Sequence, residues 1–413
     1  SFVVVDSPFL SSAKMQSGHK TLDYLILLDG IDPLVDPHDA ASSDGRFLFS
    51  IDNFRKTVLS EEGFSCTSFD LDIIDILLSK RTRISHCDAL HDFGKCLDTY
   101  TLDAKHIVLV EQSKDERGRI LVRQWVIEID QRNETVTCIF YRSYGRLSFT
   151  EEYCEVSIGR DEIVVSNGDK VVLLPKNPMA STSPRHFPDV VMQVESCADL
   201  LYGQGRLIRH DLETTEVYTR PFFITPTVLA YFLTAEHQNG RWDYGVGTVI
   251  VIDIVTGSCY LQEIESVHSL PFFDNYIRER NWKQGSDHEL IFTARGRRSA
   301  HEMEMTFVLS LNTRTLQWTE LGSLRGRARL AATADGNAVI LVDNVHGWVE
   351  MMMGNGENDT NTISEIRKMD RVRVLATPHT VPSLSYLARI VAQQRGRKDA
   401  ELLECVYDRL LSH

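Results

Sequence analysis

Apolar positions in this chain fall in short runs rich in Val, Ile, Leu and aromatics, each closed by a polar or glycine-bearing turn. Such a rhythm predicts strands. β-Branched and aromatic side chains suit a pleated, half-buried surface, and runs this brief are too short for globular helices. One composite unit recurs: an apolar run, often an Asp, a polar turn, then a second apolar run. It occurs at 44–59 (DGRFLFSIDNFRKTVL), 119–141 (RILVRQWVIEIDQRNETVTCIFY), 168–177 (GDKVVLLPKN) and 205–218 (GRLIRHDLETTEVY). It returns at 247–264 (GTVIVIDIVTGSCYLQEI), 305–321 (MTFVLSLNTRTLQWTEL) and 335–352 (DGNAVILVDNVHGWVEMM). In the turns, Asp211 with Thr214 and Asp253 with Thr256 place a short polar side chain where it bonds the local backbone.

Seven such units are too many strands for one two-sheet sandwich. One sheet alone leaves an apolar face exposed, and stacking sheets around a ring buries it. The pattern therefore predicts an all-β fold, a β-propeller of about seven blades with six or eight also compatible, over residues 1–375. Three stretches break the rhythm and read as insertions: 70–100, with a strand and a short helix, the Pro- and Ser-rich 176–189, and the polar 354–363.

The period changes in the tail, 376–413. Leu384, Leu387, Ala388 and Val391 fall at i, i+3, i+4 and i+7 on one helical stripe, started by Pro382 and Ser383 and stopped by Gly396. A second helix, 399–411, follows with Leu402, Leu403, Val406, Tyr407 and Leu410 on one side.

Two resemblances attach to these patterns. The units resemble kelch-type blades, with an apolar strand, a Thr-containing turn and an aromatic such as Trp318; the match is tightest at 247–264 and 305–321. The first tail helix resembles the elongin-binding helix of the SOCS-box family. Ser383 and Leu384 lead it, Ala388 stands at that family's Cys position and Ala392 at its aliphatic position. This likeness implies elongin C and a cullin as partners, contacted by Leu384, Leu387, Ala388, Val391 and Ala392. It also implies a ubiquitin-ligase substrate receptor that grips its client on the propeller face.

Charge narrows the partner class. The 413 residues carry 44 basic and 58 acidic side chains, a net charge of −14, which opposes general nucleic-acid binding by phosphate neutralisation. Against that background Arg295, Arg297, Arg298, Arg325, Arg327 and Arg329 form two basic clusters about 30 residues apart. They are a candidate patch for an anion or a partner, since guanidinium offers bidentate donors. The competing account is solvated loops balancing Glu302 and Glu304. Eight scattered cysteines without a framework suggest reduced thiols, and no apolar run reaches the ~20 residues of a membrane helix. The first residues lack the basic region and apolar run of a signal peptide, so a cytoplasmic or nuclear location is expected.

Catalytic signals are sparse. His86, Cys87, His91 and Cys96 lack the close Cys pair of a structural zinc site, so no metal is assigned. No Gly-x-Ser-x-Gly elbow occurs, and the Gly-x-Gly at 203–205 and 245–247 continues into no phosphate-binding loop. The expectation is a non-catalytic protein-interaction module with no cofactor. The alternative is a scaffold subunit of a multiprotein or nucleic-acid-associated complex, with the tail packed on the propeller or on a dedicated partner.

Overall fold

The computed structural model describes residues 23–29, 38–42, 46–58, 65–75, 80–115, 117–131, 133–144, 154–167, 170–187, 212–217, 221–237, 241–243, 248–256, 259–263, 281–286, 289–296, 305–315, 317–325, 327–332, 338–344 and 369–376. Every regular element among them is a strand. Strand β1 (Asp23–Asp29) comes first, and its partner is met only at the far end of the chain. The first sheet holds β2 (His38–Ala41), β3 (Phe47–Val58), β4 (Ser65–Asp75) and β5 (Lys80–His91) in sequence order. The second holds β6 (Lys95–Thr101), β7 (His106–Lys114), β8 (Ile120–Asp130) and β9 (Thr135–Tyr144). The third holds β10 (Glu155–Ile158), β11 (Glu162–Asn167), β12 (Lys170–Pro175) and β13 (Arg185–Phe187).

The fourth sheet is built around β16 (Val228–His237). β14 (Leu212–Val217), β15 (Phe222–Thr225), β17 (Arg241–Asp243) and β18 (Thr248–Asp253) all pair with it, and β19 (Cys259–Glu263) pairs with β18. The fifth holds β20 (Asn281–Ser286), β21 (Glu289–Gly296), β22 (Met305–Asn312) and β23 (Gln317–Arg325). The sixth runs β24 (Arg327–Ala332), β25 (Ala338–Asn344), β26 (Met369–Ala376) and then β1, with Ile26 opposite Val372. All pairings among the described strands are antiparallel.

First strands of successive sheets meet: β24 touches β2, β2 touches β6, β6 touches β10, and β20 touches β24. The fourth sheet touches both the third and the fifth, with the Phe223 ring against Gly159 and Thr313 Oγ1 donating to Ile224 O at 3.3 Å, while β10 and β20, the first strands of the third and fifth sheets, also touch each other. This is a β-propeller, closed where the outermost strand of the last sheet comes from the start of the chain.

Period-2 alternation explains why runs such as IVLV at 107–110 are apolar throughout. Ile107 and Leu109 of β7 join Phe49, Phe69, Phe93 and Trp125 in the core between the first and second sheets. Val108 and Val110 join Val122, Tyr144, Val165 and Leu174 between the second and third. Both faces of one strand are buried against neighbours.

Six sheets are present among the described residues, one of the counts left open by the repeat. The units at 205–218 and 247–264 enter the same sheet, because β14 and β18 both pair with β16. Residues 70–100 correct an expectation: among the described residues they form no helix but the end of β4, all of β5 and all but the last residue of β6. Their His, Cys and charged positions interrupt the apolar pattern while the backbone stays paired. The 176–189 segment is a loop only in part, since β13 lies within it. The 354–363 segment and the tail lie outside the described residues. No helix among the described residues is long and apolar enough to cross a membrane.

Candidate partner-binding site

A groove of about 900 Å³ opens between the first and second sheets, at the end of the strands where one sheet hands over to the next. His91 and Asp92 at the end of β5, Arg123 and Trp125 of β8, and Tyr141 and Ser143 of β9 line it. Its walls are fixed by close packing of the connection between sheets. Asp92 takes a φ of 52°, a left-handed conformation that Asp tolerates better than most residues. A Cβ on Gly94 would lie 2.1 Å from Gln112 O, so only glycine permits this approach.

Between those two residues Phe93 is fully buried, which stabilises by roughly 1.5–3 kcal/mol. A bulge between Asp52 and Arg55 brings Phe54 onto Phe93, with ring centroids 5.1 Å apart and planes 7° apart. Phe93 meets Trp125 at 6.1 Å, and Trp125 stacks on Tyr141 at 5.0 Å. An aromatic row thus runs from the first sheet to the surface of the groove.

Behind the row sits Glu111, wholly buried. Its carboxylate accepts from Gly94 N at 2.6 Å and from Trp125 Nε1 at 2.7 Å, with Arg123 at 3.7 Å. Burial pushes its pKa up, opposed by the Trp125 N–H, the Arg123 charge and the Gly94 N–H. Arg123 also donates to Asp92 O at 2.8 Å. One carboxylate therefore orients the turn, the indole and the guanidinium together.

The outer wall is β9, which pairs only with β8 among the described strands. A bulge at Ile139 shifts its register between Val126 and Ile127. As a result Ile139, Phe140 and Tyr141 are consecutive and all exposed, by 43%, 37% and 60%. Cys138 below them is half-buried, and burial pushes its thiol up, away from the reactive thiolate.

Sequence reasoning singled out none of Trp125, Glu111 or Tyr141. The available signal was the unalternating Ile-Phe-Tyr in β9, which reads as core until the strand is known to be outermost. Of the zinc candidates, Cys87 and Cys96 are buried and their thiols lie near Ile84 O and Asp98 O, while His91 is exposed on the groove. The His86 side chain lies outside the described residues, and among those described no cluster of metal-ligating side chains forms.

Four of the six arginines lie on described strands, Arg295 on β21, Arg325 on β23, and Arg327 and Arg329 on β24. Arg295 lies opposite Thr306, which lies opposite Leu324; Gly296 lies opposite Met305, which lies opposite Arg325. Arg295 and Arg325 therefore share one end of the fifth sheet, on alternate faces. One residue later β24 begins with Arg327, opposite Asn344, and Arg329 follows opposite Val342. Arg297 and Arg298 lie outside the described residues, as do Leu384, Leu387, Ala388, Val391 and Ala392 of the tail.

No protein-family model and no curated protein sequence matches this chain. Among solved structures it is similar to the β-propeller domain of the trilobed protease from Pyrococcus furiosus, at 10% identity and a TM-score of 0.34, over 79% of this chain and 88% of that one. It is also similar to an α-L-arabinanase of Penicillium chrysogenum, at 10% identity and a TM-score of 0.39, over 88% of this chain and 100% of that one. A third is the acylaminoacyl peptidase of Pyrococcus horikoshii, at 11% identity and a TM-score of 0.34, over 74% of this chain. The chain spans 42% of that peptidase's length. These comparisons correct one expectation. Enzymes stand among the similar structures, so the lack of a linear catalytic motif does not make this chain a non-enzyme.

Proposed function

We propose that the protein is an interaction module that grips a partner protein where its sheets hand over to one another, with the groove between the first and second sheets as the docking point. The observation carrying this reading is the row of three exposed apolar side chains, Ile139, Phe140 and Tyr141, beside a groove whose aromatic wall is rigidly packed. Consecutive exposed aromatics on an outer strand are costly to leave in water, and aromatic anchors beside a polar rim are the composition of binding hot spots.

In the finer form of this reading the ring is a divergent, kelch-like client receptor, and the tail recruits elongin C and a cullin. Support for that part is the helical stripe Leu384, Leu387, Ala388 and Val391 and the Ser383-Leu384 start. Affinity capture from native extract with the full chain tests both parts. Phe140→Asp with Tyr141→Asp is expected to lose the client while the melting curve stays unchanged. Leu384→Asp is expected to lose elongin C alone. Capture identical to the parent chain by the first variant would overturn the docking point, and elongin C retained by the second would overturn the tail's role.

A further inference from the structure

We propose that the groove between the first and second sheets recognises an extended segment of the partner protein in which an Asp or Glu stands two residues from an apolar side chain, with Arg123 taking the carboxylate and Tyr141 the apolar group. The site is the docking point proposed above, on which this reading rests; what is added is the chemistry of the segment that docks.

Register sets the spacing. Arg123 of β8 lies opposite Ser143 of β9, and Trp125 lies opposite Tyr141. Residues two apart in a strand share a face, so these four line one wall of the groove in two rows. Strand rise puts the rows about 7 Å apart. An extended chain laid along β9 has the same period, so two of its residues with one between them meet both rows at once. The first row is aromatic: the Tyr141 ring is 60% exposed and stacks on Trp125 at 5.0 Å, which gives a flat apolar surface held from behind. In the second row Ser143 is small, and the Arg123 side chain keeps 17% exposure on the groove.

The bonding of Arg123 selects the ligand. Its Nη1 donates to Asp92 O at 2.8 Å and lies 3.7 Å from Glu111 Oε1. No described residue partners its Nε or Nη2. Those two groups form the edge of the guanidinium plane that takes a carboxylate with two parallel bonds. A charge mostly removed from water with donors left open is costly, and an incoming carboxylate offsets that cost. The groove's own carboxyl groups do not supply one. The Glu111 oxygens accept from Gly94 N and Trp125 Nε1, and burial pushes this group up towards its neutral form, which leaves the Arg123 charge less opposed. Asp92 meets Arg123 through its backbone carbonyl. One guanidinium on a chain of net charge −14 favours a single carboxylate in an apolar segment; a phosphate or a run of acids brings more negative charge than the site neutralises.

Selection of phage-displayed random peptides on the full chain, followed by fluorescence anisotropy with the selected peptide, tests the proposal. Selected peptides are expected to share an apolar residue and an Asp or Glu with one residue between them. Changing that acid to its amide in the peptide, or Arg123→Gln in the protein, is expected to weaken binding by about tenfold. Both changes together should weaken it hardly more than either alone, and Arg123→Lys should retain part of the affinity. Arg123 also holds Asp92 O, so where a thermal melt shows that Arg123→Gln fails to fold, the acid-to-amide change in the peptide carries the test on the parent chain. Peptides that need Phe140 and Tyr141 but carry no acid, that tolerate the amide, or that bind more tightly with phosphoserine in its place would overturn the proposal and leave the docking point standing. Acid-bearing peptides that bind Phe140→Asp with Tyr141→Asp as well as the parent chain would overturn both. Failure to select any peptide would overturn the recognition proposed here, while capture of the client by the parent chain and its loss by that double variant decide the docking point separately.

Discussion

At the residue scale, Glu111 shows how one buried carboxylate organises a surface. Its two oxygens accept from Gly94 N and Trp125 Nε1, so replacing it by glutamine sets an amide N–H against one of those donors. Glu111→Gln is expected to cost about 1–3 kcal/mol in urea unfolding. The pH dependence has a definite sign. Burial raises the folded pKa above the ordinary 4.5, so the contribution of Glu111 is full below that value and is lost as pH rises through the folded one. Glutamine does not titrate, so the penalty of the substitution should shrink as the pH rises above the ordinary 4.5 and through the raised folded value. A penalty that grows with pH would mean that the carboxylate is stabilised as an anion by Arg123 and the two N–H donors. Nothing in the local sequence HIVLVEQSK distinguishes this Glu from a solvated one; its burial follows from the neighbouring sheet.

At the element scale, Gln124 of β8 ties three other strands together. Its Nε2 donates to Tyr100 Oη of β6 at 2.7 Å and to Pro175 O, the last residue of β12, at 3.1 Å. Its Oε1 accepts from Tyr144 Oη of β9 at 2.5 Å, and Tyr100 Oη donates onward to Lys176 O at 2.5 Å. Burial pushes the Tyr144 phenol up to about 12 and that of Tyr100 well above its ordinary value, so both remain donors throughout the neutral range. Gln124→Leu strands the Tyr144 phenol and takes a donor from both Tyr100 Oη and Pro175 O, and is expected to cost about 2–4 kcal/mol, against about 1 for Tyr144→Phe. Equal costs in denaturant titrations would show that the chain of bonds is not a unit. Beside it, Arg142 of β9 donates to Pro178 O, Ala180 O and Thr182 O, which holds the 176–184 loop against the second sheet. Its proline and serine content was legible as a loop; the arginine that fastens it was not, because the two are more than 35 residues apart.

At the scale of the whole molecule, closure depends on one strand from the start of the chain. β1 supplies the outer edge of the sixth sheet, paired with β26 from Asp23 opposite Leu375 to Asp29 opposite Met369. Deleting residues 23–29 leaves β26 as an open edge and removes the bond between the two ends of the ring. The midpoint of thermal unfolding is expected to fall by roughly 5–15 °C, with faster proteolysis within the sixth sheet. An unchanged melting curve would show that the ring is held by its first strands alone.

Much of the architecture was written locally. Alternating and doubly apolar runs identify strands whatever their partners, and turn chemistry behaves as read: Asp253 Oδ1 accepts from Val255 N at 2.8 Å and Thr256 N at 3.1 Å, as Asn312 does for the turn after β22. The strand-rich class and the ring follow from such local facts. Sheet membership does not, because pairing partners are chosen by burial across the fold; β14 and β18 sharing β16 is the instance that turned seven units into six described sheets. The groove is also a tertiary product. Trp125, Glu111, Gly94 and Tyr141 are ordinary residues until two sheets face each other, and that packing decides which of them is buried, which is exposed and what they can hold.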